Sequence, residues 1–538
     1  MGAAFSRDIQ MEEYHRRHKS SQKTYRTLFW CLIIAFTILR LFLINKFGLG
    51  VDESHYLLYS RKLAWGYFDH PPMVAFLGAL TTLPGDAVFF VRLGPVICTA
   101  FSLIVLRYLA LSLYRDERVA FWAVLTLHLL PYQQVLMVGL LPDATLNLFW
   151  CGTLLAVWQA IKTGRWSLWI LTGLLFGGAL LSKYHAVLLA LCLLGYFITS
   201  SEHRYWLGKI QPWAAVMIGL AVFVPNIIWN ARHGWISYSF QLGQGSGEGL
   251  SWGDFFAAIG GQLAAGSPLI FGLLIAAGIV LTRQKKMNSS DRFVFWTSIP
   301  IFVFFCLAGL TTKILPHWTT VGWWTGSIAV ASVVLKKVSI PGPSAIRWQR
   351  WALASGATGF LMCALLYLAL FLPMTEPVYT WARDVSLKLN RQFPAVKALK
   401  PFEPGNDISN DLFGWPEIAA RVEAIRSQMP HPEKTFVFSH RFFKASQIGV
   451  YLQPDTVATS LHRKFDQYHL WFAAPEHTGW DALFIVDHRR HLKRARRYQP
   501  LFEKMDPQPE PFQIFRDGQL AQNIEVYKYY GFKGKFEE

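Results

Sequence analysis

The chain has 538 residues, of which 53% are apolar and only 16% charged, with 22 Trp and 41 Phe. Soluble domains run nearer a quarter charged, so this composition excludes a wholly soluble protein and points to one embedded in a bilayer. The formal net charge of +18 does not argue for a nucleic-acid partner, because the basic residues sit in short loops between apolar runs and form no stripe.

In chain order, residues 1–26 form a polar, basic N-terminal segment. The start MGAAFS fits a myristoylation pattern that the spans behind it make redundant. The apolar run after it is too long for a cleaved signal and lacks a small-residue cleavage site. A membrane helix needs about 20 apolar residues. Runs of that kind predict eleven spans, near 27–46, 87–112, 119–134, 143–161, 167–182, 184–200, 211–229, 258–281, 293–310, 318–335 and 351–372. The N-terminal segment and alternate loops are basic (Arg115 and Arg118, Lys162 and Arg165, Arg204 and Lys209, RQKK at 283–286, Lys336 and Lys337), which predicts a cytoplasmic N-terminus. An odd number of spans then places residues 373–538 on the far side. Their polarity is ordinary. A helical pattern at 416–428 and strand-like runs TFVFS, IGVYL, DTVATSL, ALFIVD and NIEVYKY predict a small α/β domain. All six cysteines fall in apolar runs, where they read as small packing residues. The expected architecture is thus a polytopic helical module over 27–372, with a far-side loop at 47–86, followed by a soluble domain.

That first loop opens with GLGVDESHYLLYSRKLAWGYFDHPPM, residues 48–73, and holds Asp52, Glu53, His55, Asp69 and His70 just past an apolar span. LYSRKLAWGYFDHPPMVAFL is amphipathic but too polar to span, which predicts one helix lying along the membrane surface. Pro71 and Pro72 then stiffen the turn out of it. A carboxylate at mid-bilayer costs about 2.5–3.5 kcal/mol, so these acids are expected to face water. Three more far-side loops carry polar groups: LLPDATL with Asp143, SKYH with Lys183 and His185, and TTKILPHW with Lys313 and His317. Two readings stand on spacing alone. The acids and lysines are solvated or snorkelling helix ends, or they line one wet pocket in which cations hold an anion such as a phosphate and a carboxylate acts as a base.

The loop VDESHYLLYSRKLAWGYFDHPPM resembles the first extracytoplasmic loop of the polyprenyl-phosphate-sugar-dependent glycosyltransferases of the C-type (GT-C) fold. Within that group it is most similar to the bacterial relatives of protein O-mannosyltransferase and of the lipid A aminoarabinose transferase. LLPDATL, SKYHAVLL, KILPHW, DLFGWPEIAARV and KFDQYHLW carry the likeness along most of the chain. The resemblance implies a catalytic aspartate at Asp52 with an acidic neighbour at Glu53, which either orients its surroundings or caps a helix. It implies substrate contacts at His55, where the aminoarabinose enzyme has an arginine, and at Tyr56. Asp69 and His70 stand where that enzyme has Glu-Lys. An imidazole holds an anion less firmly than an ammonium, so Lys183, Lys313 and His317 are the other candidates for the phosphate contact.

The implied reaction moves a monosaccharide from a polyprenyl-phosphate carrier to an envelope acceptor (lipid A, a polysaccharide or a protein) at the bacterial inner membrane, with Asp52 as general base and with inversion. No cofactor is implied firmly, although a divalent metal near Asp69 fits the residue types. No H-x-x-x-H or cysteine cluster supports one. Adjacent Asp52 and Glu53 point about 100° apart on a helix and make a poor glycosidase pair. The competing expectation is a transporter or flippase for a polyprenyl-linked glycan. It would place its charges nearer mid-membrane, and no internal repeat accompanies it.

Overall fold

The computed structural model describes residues 2–245, 249–372, 375–392, 399–404, 407–487 and 491–537. The chain packs as two compact units, one of Met1–Leu43, Ala64–Thr81 and Arg92–Ala364, the other of Ile44–Leu63, Thr82–Val91 and Leu365–Glu538. The first loop is therefore shared: Asp52 and its neighbours fold with the C-terminal unit, and the DHPP turn folds with the helical one.

The first unit is a helical, multi-pass membrane module. Among the described residues six helices are long and apolar enough to cross a bilayer (Ser20–Leu43, Val88–Tyr114, Pro142–Thr163, Ile210–Arg232, Ser289–Ala308 and Pro343–Phe371), or seven with one bent pair. The other expected spans are shorter or less apolar helices, such as Trp166–Ser182 and Thr320–Val338. Three runs expected to be continuous are broken. The run 258–281 is two helices, Trp252–Gly266 and Pro268–Thr282, bent by 110°. Ser267 between them takes φ 64, and Pro268 cannot donate to the preceding turn. The run 119–134 stops at His128, and Pro131 starts a new short helix. The run 293–310 pauses between Trp296 and Ile299, just ahead of Pro300. Hydropathy sees none of these breaks, because proline and serine dilute an apolar run very little.

The core of this unit is a single apolar cluster that includes the buried indoles of Trp150, Trp169 and Trp324. Gly173 and Gly177 lie one turn apart on Trp166–Ser182 and let the Ile210–Arg232 helix approach. A Cβ at Gly173 would sit 2.6 Å from the Ala215 carbonyl oxygen, and one at Gly177 2.5 Å from Val222 Cβ. Small residues at four-residue spacing serve this purpose where lipid supplies no hydrophobic drive.

The surface helix expected over LYSRKLAWGYFDHPPMVAFL is absent. A helix runs from Val51 to Arg61, residues 62–72 form a loop, and Met73–Thr81 is a second helix. Pro71 and Pro72 lead into that helix, where a missing N–H costs nothing, so they do not form a turn out of one.

The second unit contains a six-stranded sheet. Its strands are β1 (Thr435–Ser439), β2 (Ala458–Ser460), β3 (Asp481–Asp487), β4 (Phe502–Met505), β5 (Glu510–Arg516) and β6 (Gln519–Phe532). The order is β2-β1-β3-β6-β4, with β5 also on β6. β1 lies parallel to β2 and β3, whereas β6 runs antiparallel to β3, β4 and β5. All five residues of β1 are buried, as expected of a parallel strand covered on both faces. The expected strand IGVYL is instead the end of a helix, Phe442–Gly449, and the turn beyond it. Ala445, Ser446, Gln447 and Ile448 are all buried, and a short buried helix is not distinguished from a strand by its apolar run. The sequence reading misses β4 and β5: exposed Glu503 and Lys504 interrupt β4, and β5 exposes Pro511 and Phe515 while burying Arg516.

Candidate active site

In the second unit, Gly50 precedes the helix Val51–Arg61, which brings Asp52 and Glu53 into its first turn. Carboxylates are favoured there by the partial positive charge of the uncapped N–H groups. The two acids diverge. Glu53 is buried, and its Oε2 accepts the Gly50 N–H at 2.9 Å, so it closes the helix start. Asp52 is exposed and lines a cleft of about 890 Å³ together with Asp407, Asp411, Lys444, Gln447 and Asp487.

One turn further on, His55 is only 4% exposed. Its Nδ1 lies 3.1 Å from Ser446 Oγ and its Nε2 2.9 Å from Tyr59 Oη. Ser446 in turn lies 3.0 Å from Tyr468 Oη. Tyr56 is buried and packs edge-on against Tyr59. Trp471 packs on Tyr59 and receives the Lys62 ammonium over its ring at 4.9 Å. His55, Tyr56 and the QYHLW aromatics thus form a hydrogen-bonded packing layer between this helix and Phe442–Gly449.

In the first unit, the segments holding DHPP, LLPDATL, SKYH and KILPHW converge. Lys183 Nζ reaches both carboxylate oxygens of Asp143, at 3.0 and 2.9 Å. Thr320 Oγ1 lies 3.2 Å from Asp143 Oδ1 and donates to the His317 carbonyl at 2.7 Å. His317 stacks on Tyr132 and lies 3.4 Å from its hydroxyl. Burial, reinforced by the nearby Lys183 ammonium, pushes the His317 imidazole down to about 3 in the turn ahead of its helix, so it is neutral. His70, on the DHPP turn, is within electrostatic reach of both His185 and His317. The Asp69 carboxylate pairs with His70 at 3.1 Å. Lys313 is exposed and joins none of these contacts.

The backbone of the DHPP loop is held by side chains that sequence reasoning did not single out. Asn226 donates to the Trp65 carbonyl at 2.8 Å, Ser237 to that of Tyr67 at 2.7 Å, and Gln241 to that of Asp69 at 2.7 Å. Within the loop, the Tyr67 N–H reaches the His70 carbonyl at 3.1 Å. A Cβ at Gly66 would fall 2.5 Å from the Trp229 ring, so only glycine lets the loop lie against that helix. Asn226 and Asn230, buried on an apolar helix, were the legible signal, since a buried amide in a membrane helix needs a partner. Among the described residues no group of three or more His, Cys, Asp or Glu is arranged to hold a metal.

A helical membrane module with a buried polar cluster, followed by an α/β unit, is the arrangement to set against known proteins. Residues 69–229 match the family described as dolichyl-phosphate-mannose-protein mannosyltransferase. The chain is 26% identical over 314 residues to the lipid A galacturonosyltransferase RgtD of Rhizobium johnstonii, covering 55% of this chain and 63% of that protein. It is 31% identical over 218 residues to the undecaprenyl phosphate-alpha-4-amino-4-deoxy-L-arabinose arabinosyl transferase of Pseudomonas aeruginosa, covering 36% of this chain and 39% of that one. The fold matches the crystal structure of ArnT from Cupriavidus metallidurans with a TM-score of 0.60 at 14% identity, over 93% of this chain and 98% of that one. The chain is therefore a relative of the C-type transferases and has their fold, as the loop motifs implied. Its aligned segments span less than two thirds of the two curated relatives.

Proposed function

We propose that this protein is a glycosyltransferase of the bacterial inner membrane that moves a monosaccharide from a polyprenyl-phosphate carrier to an envelope acceptor. Its N-terminus is cytoplasmic and its C-terminal unit periplasmic. The observation that carries this reading is the convergence of DHPP, LLPDATL, SKYH and KILPHW on the buried Asp143–Lys183 pair. The two curated relatives, one a lipid A galacturonosyltransferase and the other an undecaprenyl phosphate-aminoarabinose arabinosyl transferase, support the same class of donor and acceptor.

In this mechanism the acceptor hydroxyl attacks the anomeric carbon as the bond to the carrier phosphate breaks, so the configuration inverts. Asp52, the acid of the pair that points to solvent, takes the hydroxyl proton. The leaving phosphate monoester carries away the bonding electrons, and donors placed where its charge develops lower the barrier. His70, Lys183 and the exposed Lys313 are the groups proposed for that role. Neutral His317 serves as a hydrogen-bond donor and needs no charge. Glu53 supports the helix that presents Asp52, and His55 and Tyr56 hold that helix in place.

The test is transfer of labelled sugar from its polyprenyl phosphate by the purified protein in nanodiscs, with mass spectrometry of envelope lipids and glycans from cells with and without the gene. A mass increment lost with the gene and with Asp52→Asn supports the reading. Translocation of the intact lipid-linked sugar, with no bond broken, would establish the flippase instead.

A further inference from the structure

A second cavity lies at the carboxyl ends of β1 and β3. It measures about 440 Å³ and is lined by Ser439, His440, Arg441, Lys444, Asp487 and Arg494. The chain leaves β1 through the helix Phe442–Gly449 toward β2, on one side of the sheet, and leaves β3 through the helix His491–Tyr498 toward β4, on the other. The connections of two adjacent parallel strands thus diverge, and open α/β sheets bind ligands in the crevice this creates.

The lining is cationic and incompletely neutralised. Arg441 and Arg494 make no ion pair among the described residues, and Lys444 meets Asp487 only at 3.9 Å. Arg441 occupies the N-cap of Phe442–Gly449 with no side chain capping the first turn, so the N–H groups of that turn add to the same field. His440, whose Nδ1 sits 2.7 Å from Tyr498 Oη, responds to this field. Burial and the charges of Arg494, His462 and Arg497 lower its imidazole to about 4. Two guanidiniums, an ammonium and the first-turn backbone donors around a small cavity are the donor chemistry that suits a tetrahedral oxyanion.

We infer that the C-terminal unit binds a phosphate-class anion in this crevice, held by Arg441, Lys444 and Arg494. Asp487 is its internal competitor for the lysine. The crevice shares Lys444 and Asp487 with the cleft that Asp52 lines, but anion binding is read without sugar transfer, so the two proposals fail separately.

The experiment uses the full-length protein in phosphatidylcholine nanodiscs, titrated calorimetrically with inorganic phosphate, glucose 1-phosphate and, as a control, glucose. Saturable binding of both phosphates and not of glucose is expected. Arg494→Gln and Arg441→Gln should each weaken it about tenfold or more, the effect of removing one charge-assisted hydrogen bond. Asp487→Asn should tighten it, a gain that misfolding cannot mimic. Repeating the titration with phosphatidic acid in the nanodisc separates the sources. Competition assigns the site to a lipid phosphomonoester, and none assigns it to a soluble or glycan-borne phosphate. Absence of saturable binding up to ~10 mM, or unchanged affinity in both arginine variants, would overturn the inference.

Discussion

Lys183 Nζ lies 3.0 and 2.9 Å from the two carboxylate oxygens of Asp143, with neither side chain more than 5% exposed. Asp143 lies in the first turn of Pro142–Thr163 and Lys183 just past the end of Trp166–Ser182, and they meet as a buried, two-pronged ion pair. Removing one partner of such a pair strands the other charge, which costs about 3–5 kcal/mol. Asp143→Asn is therefore expected to lower the unfolding temperature of the detergent-solubilised protein sharply. Asp143→Asn combined with Lys183→Met should recover most of the loss while leaving transfer impaired, because Lys183 is also proposed to face the donor phosphate. A double variant as unstable as the single one would contradict this account.

Asp52 and Glu53 should separate by phenotype. Asp52→Asn leaves the exposed helix start intact and is expected to reduce transfer about 10²–10⁴-fold at unchanged thermal stability. Glu53→Ala removes the acceptor of the Gly50 N–H, with a stability cost of about 0.5–2 kcal/mol, whereas Glu53→Gln keeps an acceptor and should be near neutral. Thermal melts and initial rates on the same three preparations decide it.

Gln241→Ala tests the positioning of the DHPP loop. The change withdraws the donor from the Asp69 carbonyl, worth about 1 kcal/mol. The expected result is a raised KM for the polyprenyl-phosphate sugar with little change in kcat. Gln241→Glu should restore little, since a carboxylate cannot donate. An equal fall in kcat would mean that the loop takes part in the chemical step.

The charge state of His440 is open to direct measurement. Its folded value of about 4 lies below the ordinary 6.5, the charged form being disfavoured by burial and by Arg494, His462 and Arg497, with Glu537 acting in the opposite sense. A neutral imidazole fits the native state better than the unfolded one. Its contribution is complete above pH 6.5 and is lost as pH falls from 6.5 through 4. The imidazole resonance of His440, followed by NMR, should titrate near pH 4, and His440→Asn should flatten that part of the stability profile. A midpoint near 6.5 would contradict the burial described here.

The packing layer around His55 predicts a structural phenotype. Phenylalanine at this position fills the space but leaves Ser446 and Tyr59 without their shared partner, at about 1–3 kcal/mol. His55→Phe should lower the unfolding temperature and leave KM for the donor unchanged. A change confined to KM would instead return His55 to the substrate side.

How much was legible beforehand varies by element. The apolar runs, the C-terminal α/β character and the strands TFVFS and ALFIVD follow from local composition and period, and all are present. The bend at Ser267–Pro268, the helical IGVYL segment and the loop at 62–72 were misread. There the deciding term is a backbone conformation or a packing partner, and hydropathy averages over both. His55 is a sharper case. An imidazole beside two acids suggests chemistry, but its nitrogens meet Ser446 and Tyr59, and Ser446 is 391 residues away in sequence.

The sequence by itself determined that this is a multi-pass helical protein with a separate polar unit and which loops carry ionisable groups, because transfer of side chains between water and lipid is a local property of each segment. Only the tertiary structure decided that Asp143 would neutralise Lys183, that Asp52 would line a cleft with Asp407 and Asp487, and that Arg441 and Arg494 would share a crevice. Those outcomes depend on distances between segments far apart along the chain, and such distances are set by packing and strand order.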